Sequence, residues 1–323
     1  MTVGTVGKAN KSVGALQRFT VGLIWAAVSP ILLLAVVFFA LFLSTEAAEY
    51  AISGMTLAVT AVIPSAFPSM LLCDLYRRFG YPEKIPFFGR VFGWLFGINP
   101  RGLRAFVLGN LCGFPTGARE VGAAYSEGVI SREEAELLLP LSTNPSPAFI
   151  IGAVGGALLG DTGRGGMLLL CVMLSSVVVG VVYRKNRCEY SFSPFVFGQS
   201  YSIVESIRSS GTACITVISF ISAFSVALGF IKKYVNFLPL KCLLFGVLEV
   251  TGGVNFFIKE CEFSPAFSGA LVAFSLGFGG VSVMLQSAAL ASDFGLKIRG
   301  YFKIKLTQGI IAAVLFFVIN LLI

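Results

Sequence analysis

The residues best suited to chemistry lie in glycine- and proline-rich stretches set inside apolar runs. Asn110-Leu-Cys-Gly-Phe-Pro-Thr-Gly-Ala118 and Ser142-Thr-Asn-Pro-Ser-Pro147 fall in the first half of the chain; Glu249-Val-Thr-Gly-Gly253 and Gly277-Phe-Gly-Gly280 fall at matched places in the second. A helix interrupted in lipid leaves N–H and C=O groups that hydrocarbon cannot satisfy, so such breaks persist only where protein or a water-filled cavity satisfies them. The distal arm of a broken helix presents free N–H groups and the positive end of its dipole. That end holds an anion or carboxylate without needing a cationic side chain.

The candidate solute-binding residues follow from this. They are Asn110, Gly113, Thr116 and Gly117 at the first break, and Ser142, Thr143, Asn144 and Ser146 at the second. Thr251 and Gly252 mark the third, and Gly277, Gly279, Gly280 and Ser282 the fourth. Hydroxyls and amides supply hydrogen bonds, and glycine lets backbone approach a ligand closely. Taken singly, each glycine or proline reads equally well as helix packing, since small residues are common at membrane helix interfaces. Paired breaks in matched order favour the binding reading.

Three charged or amide side chains join the candidates. Glu249 is the sole carboxylate between Cys242 and Ile258; an intramembrane acid faces a partner or a cavity. It suits proton or cation coupling or direct contact with solute, or else pairs with Lys241 or Lys259. Arg119 suits a carboxylate-bearing solute or a positive anchor at the membrane edge. Gln286 follows Ser282 by one helical turn and shares its face, which fits a pore lining or a helix–helix hydrogen bond.

The elements that must position these residues are membrane helices. Of the 323 residues 56% are hydrophobic and 12% charged, and the mean hydropathy is +0.87. A soluble domain of this length could not bury so much apolar surface. The apolar runs are continuous and not alternating, which argues against a β-barrel. There is no histidine, which removes zinc-hydrolase and Ser-His-Asp chemistry. With no paired-aspartate motif and no activated nucleophile either, the chain does not read as an enzyme. The seven cysteines show no CxxC spacing and read as small buried hydrophobes, so no metal or cofactor is expected. The net charge of +8 sits in loops that flank spans, as topology rules require, which excludes nucleic acid as a partner. The expected partners are membrane lipid and a small-molecule solute. A coupling proton or cation and a homo-oligomer are both compatible with the composition.

Along the chain, Val21–Leu43 reads as a first helix and about Ala51–Leu72 as a second, with Arg77, Arg78, Lys84 and Arg90 after it. The positive-inside rule then puts the N-terminus in the cytoplasm. The aromatic stretch 86–100 reads as an interfacial helix, and 103–121 as a re-entrant hairpin. Residues 137–159 read as a broken span and 167–183 as a return. The second half repeats this order with opposite sense: 207–231, a hairpin over 238–258, a broken span over 265–290, and a last helix over 306–323. Lys297, Arg299, Lys303 and Lys305 sit inside, before that last helix. Gly54 and Gly211 align as helix openers. Ser131-Arg-Glu-Glu134 reads as a capping box. The expected fold is an all-α polytopic membrane protein: an inverted-topology repeat with two re-entrant hairpins, two broken transmembrane helices and about seven full spans. Its parts are 1–50 (cytoplasmic N-terminus and first helix), 51–183 (first repeat), 184–204 (polar linker) and 205–323 (second repeat).

At the same residues the chain resembles a known family. Gly113-Phe-Pro-Thr-Gly-Ala-Arg119, the run from Ser142 to Val154, Leu248-Glu-Val-Thr-Gly252 and Leu276-Gly-Phe-Gly-Gly-Val-Ser282 are similar to the YlbJ-type sporulation integral membrane proteins. These fall in the nucleoside-recognition or gate-domain group, which is similar to concentrative nucleoside transporters. The resemblance implies secondary transport during endospore formation, with dipicolinic acid as cargo, in the forespore outer membrane or the cytoplasmic membrane. A nucleoside-type transporter, or a non-transporting organiser of the spore envelope, are the alternatives. The last break departs from the family pattern, with Met284 and Leu285 where more polar residues are expected, so the cargo can differ even within the family.

Overall fold

The computed structural model describes residues 44–77, 87–184 and 203–322. The expected helix Val21–Leu43, residues Arg78 and Lys84, and nearly all of the linker lie outside the described residues. Residues 1–49 and 50–323 form separate units; the second contains every candidate residue.

Among the described residues all regular structure is helical. In the first half, α1 (Ser44–Leu57), a π-helical turn (Ala58–Val62) and α2 (Ile63–Arg77) form a bent pair. Then come α3 (Phe87–Phe96), α4 (Leu103–Cys112), α5 (Phe114–Ser126), α6 (Arg132–Ser142), a wide π-helical segment (Ala148–Leu158) and α7 (Thr162–Val182). The second half holds α8 (Ile203–Tyr234), α9 (Leu238–Leu248), α10 (Val250–Lys259), α11 (Pro265–Phe278), α12 (Gly280–Ser292) and α13 (Tyr301–Leu322).

Among the described residues, 4 helical stretches are long and apolar enough to cross a membrane: α7, α8, α11 with α12, and α13; the bent pair makes up to 5. The stretch 137–159 is built from α6 and the π-helical segment, each too short to span alone. On α7, Leu170, Leu174, Val178 and Val182 are exposed at helical spacing, while Cys171, Val172, Ser175, Ser176 and Val179 are buried behind them. A stripe of aliphatic residues turned outward, with serines turned in, is stable against lipid and not against water. The chain is a multi-pass integral membrane protein. Helix α3 is one-faced in the expected way: Phe92 and Phe96 are buried, and Phe87, Phe88 and Trp94 are exposed.

The ends of the helices follow local chemistry. Ser131 and Glu134 make the expected capping box at α6, and Glu134 also accepts the Asn99 N–H. Asp161 caps α7 through the N–H groups of Gly163 and Arg164. The interruptions fall inside the glycine–proline stretches. Gly113, at φ 97°, separates α4 from α5, with Pro115 opening the new helix. Thr143 to Pro147 separate α6 from the π-helical segment. Glu249 separates α9 from α10, and Gly279, at φ 81°, separates α11 from α12. A side chain at Gly113 or Gly279 would be strained.

Two consecutive short helices pack on each other in each half, α4 with α5 and α9 with α10. Helix α4 lies back on α5 closely enough that a Cβ on Gly109 would stand 2.8 Å from the Gly117 Cα. In α9 and α10, a Cβ on Gly253 would stand 3.5 Å from the Gly246 Cα. The halves cross-pack, α12 on α5 and α10 on the π-helical segment.

Three local readings change. The last helix begins at Tyr301 and not at Leu306, which takes Lys303 and Lys305 into it. Lys305 is 1% exposed, so it is not a loop cation, because α13 packs against α6, α7 and α11 at that level. Gly54 and Gly211 lie inside α1 and α8 and open neither helix.

Candidate functional site

One cavity of about 50 Å³ gathers all the broken elements. Gly113, Phe114 and Pro115 line it from the α4–α5 break, Pro145 and Ser146 from the break after α6, Glu249, Val250 and Thr251 from the α9–α10 break, and Gln286 from α12. The breaks also touch in pairs. A Cβ on Gly113 would lie 3.4 Å from the Ser146 Cβ, and one on Gly280 would lie 3.2 Å from the Glu249 Cα. Across the halves, a Cβ on Gly279 would lie 3.6 Å from the Phe114 ring.

Two helix N-termini with opposite character face this cavity. At α5 no side chain caps the helix; Pro115 lacks an N–H and the Gly117 N–H donates to the Gly113 carbonyl at 3.1 Å, so the positive end of this helix rests on the Phe114 and Thr116 N–H groups. At α10 the Glu249 carboxylate caps its own helix: Oε1 accepts the Thr251 N–H at 3.0 Å and Oε2 the Gly252 N–H at 2.6 Å. Glu249 is 3% exposed, and these backbone donors are its partners rather than Lys241 or Lys259. Gln286 faces the cavity and donates to the Ser282 hydroxyl at 3.0 Å within the helix.

Behind the cavity, the end of α6 is satisfied almost wholly by side chains. Its last carbonyls have no intrahelical donor, because Pro145 and Pro147 lack N–H groups and the helix cannot continue. Thr143 Oγ1 donates to the Leu139 carbonyl at 2.9 Å. The Leu141 carbonyl accepts from Asn110 Nδ2 at 3.1 Å, Asn144 Nδ2 at 3.0 Å and Ser176 Oγ at 3.2 Å. Asn144 Nδ2 also donates to Asn110 Oδ1 at 2.7 Å. Asn144 Oδ1 accepts from Lys305 Nζ and Gln308 Nε2, both at 2.8 Å. Tyr301 joins Thr143 Oγ1 at 2.8 Å to Ser287 Oγ at 3.4 Å, tying this break to α12.

The expected site residues therefore divide. Gly113, Ser146, Glu249, Thr251 and Gln286 line the cavity. Asn110, Thr143 and Asn144 form the polar network behind it. Gly117 packs so tightly that a Cβ would collide with the Ser142 carbonyl, Gly252 lies against Leu228, and Gly277 lies against Gly309 and Ala312 of α13. Thr116 and Ser142 are buried, and their hydroxyls have no protein partner. Arg119 does not line the cavity. It is buried and donates to Asp74 at 2.7 Å, Ser209 at 2.6 Å and Ser210 at 3.4 Å. Lys305 and Gln308 were hidden in the sequence. Their three-residue spacing beside Gly309 and Ala312 puts them on one inward face; the placement of Lys305 just after Lys303 made it read as loop, and Gln308 fell inside the expected last helix with no role assigned to it.

The chain is 26% identical over 311 residues to the sporulation integral membrane protein YlbJ of Bacillus subtilis (strain 168), covering 81% of this chain and 74% of that protein. The two proteins are homologous. No protein-family model and no solved structure matches the chain. The stretch shared with the homologue is long enough that it must include elements from both halves.

Proposed function

We propose that the chain is a secondary transporter of a small polar or anionic solute, with the cavity between the breaks as its site. The observation that carries this is convergence: unwound backbone at Gly113, at Pro145 and Ser146 and at Glu249 lines one space together with Gln286 of α12. In this reading α4–α5 and α9–α10 are re-entrant hairpins, and α6 with the π-helical segment and α11 with α12 are broken transmembrane helices. The halves 51–183 and 205–323 are inverted repeats joined by 184–204, and 1–50 carries a cytoplasmic N-terminus and a first transmembrane helix. One bundle moves against the other to open the cavity to each side in turn. A space of about 50 Å³ holds a few waters, so loading a ring-bearing solute separates the breaks.

The uncapped N-terminus of α5 receives a carboxylate or another acceptor. Glu249 receives a donor. When Glu249 carries a proton, its repulsion of a carboxylate solute disappears, which couples solute to proton. The homologue is named for sporulation, and that supports a role in endospore formation, in the forespore outer membrane or the cytoplasmic membrane. Dipicolinic acid is then the first cargo to test.

The test is uptake into proteoliposomes of a panel containing dipicolinate and nucleosides. Glu249→Gln and Asn144→Ala are expected to insert normally and to lose proton-driven uptake. Unchanged uptake in both variants removes the site. Nucleoside uptake alone selects the nucleoside-type alternative. No uptake of any solute by well-inserted protein selects a membrane organiser.

A further inference from the structure

Lys305 has no place in the cavity mechanism, yet it is among the most completely buried side chains, at 1% exposure. Its Nζ lies 2.8 Å from Asn144 Oδ1, 2.9 Å from Gln308 Oε1 and 3.1 Å from the Thr143 carbonyl. All three partners are neutral oxygens. A buried ammonium is costly unless hydrogen-bonded and compensated, and here the compensation comes from an unusual source. Thr143 is the C-cap of α6, where the negative end of the helix dipole lies. The break after Thr143 leaves its carbonyl free to turn toward Nζ.

The amide oxygens are held in place for this task. Asn144 commits its Nδ2 to Asn110 Oδ1 and the Leu141 carbonyl, which leaves Oδ1 pointing at Lys305. Gln308 commits its Nε2 to Asn144 Oδ1, which leaves Oε1 for the ammonium. An unwound carbonyl, two fixed amide oxygens and a half-helix C-terminus are the ligand types by which broken-helix transporters hold a loose coupling cation.

We infer that Lys305 is a tethered cation: its ammonium fills a monovalent-cation site built by the break after α6. The site then needs no exchangeable metal ion. The inference itself stands on the geometry of the break. One consequence, that solute movement does not depend on sodium, rests on the transport reading above.

The experiment uses the full chain purified in detergent, with thermal unfolding followed in sodium chloride, propylammonium chloride or choline chloride at equal ionic strength. The wild type is expected to unfold at the same temperature in all three. Lys305→Ala, which vacates the ammonium, is expected to fall by about 5 °C or more in choline and to regain most of that loss, saturably, in sodium or propylammonium. Lys305→Gln keeps N–H donors without the charge and is expected to fall in choline as well. The inference is overturned if Lys305→Ala responds alike to all three salts, if it cannot be recovered in any of them, or if Lys305→Gln matches the wild type in choline. A second arm compares wild-type solute uptake into proteoliposomes in sodium and in choline. Sodium-dependent uptake overturns the tethered cation, whereas no uptake in either salt counts against transport alone and leaves the stability arm decisive.

Discussion

At the scale of single residues, hydrogen-bond partners separate two kinds of buried charge in this protein. Glu249 sits at the cavity, held by the backbone N–H groups of Thr251 and Gly252 at the start of its own helix. Arg119 is held by a carboxylate and two hydroxyls contributed by other helices. A charge in the second situation contributes specificity and register to the packing, and removing one partner is strongly destabilising. Arg119→Ala is therefore expected to lower thermal stability sharply, and a double-mutant cycle with Asp74→Asn to give a coupling of about 1–3 kcal/mol. Unfolding of the three variants in detergent checks this. A solute-binding Arg119 would show a normal melting temperature and lost uptake. Asn144 is the amide on which the network turns, since it serves Asn110, Lys305 and Gln308 at once. Asn144→Ala leaves buried groups without partners and is expected to cost about 1–3 kcal/mol, read by the same unfolding assay beside the uptake loss.

At the scale of elements, the interruptions are made by backbone conformation and close approach. Gly113 combines φ 97° and ψ −177°, a region open essentially to glycine, and Gly113→Ala is expected to cost about 1–3 kcal/mol. Gly117→Ala is expected to be at least as damaging, because the obstacle to a Cβ there is the Ser142 carbonyl, a backbone atom that cannot rotate away. Gly166→Ala on α7, with nothing near its Cβ, is the control and is expected to leave stability unchanged or raise it by up to about 1 kcal/mol. Thermal unfolding of the three variants ranks them. The same contrast explains what could be read in advance. Positive-φ glycines and N–H-deficient prolines act within a few residues of themselves, so the places where helices stop were legible as letters. The hidden part was long-range. Lys305 follows Arg299 and Lys303 and looks like part of a basic flank. Its burial comes from Asn144, 161 residues away in sequence, and no local pattern announces that partner. Gly277 failed in the other direction: it sits within a break-like run, but the constraint upon it is Gly309 on another helix.

At the scale of the whole molecule, the broken elements and the two opposed helix N-termini have to act together. The α5 end attracts a carboxylate, and an ionised Glu249 in the same cavity repels it. In the proposed transport reading, a carboxylate solute is admitted when Glu249 holds a proton, and released when that proton leaves on the other side. The sign is fixed by this argument: uptake of a dicarboxylate rises as the pH on the loading side falls, and a pH gradient across the membrane drives accumulation. Glu249→Gln is locked in the neutral form. It is expected to keep solute exchange at equal pH on both sides while losing all response to a gradient. Labelled-dicarboxylate accumulation and counterflow in proteoliposomes, with internal and external pH set separately, distinguish the two behaviours. A Glu249→Gln protein that still accumulates solute against a gradient would place the coupling elsewhere in the molecule. If the variant also loses exchange at equal pH, the carboxylate is needed to hold the α9–α10 break itself, since Glu249 is the N-cap on which α10 begins.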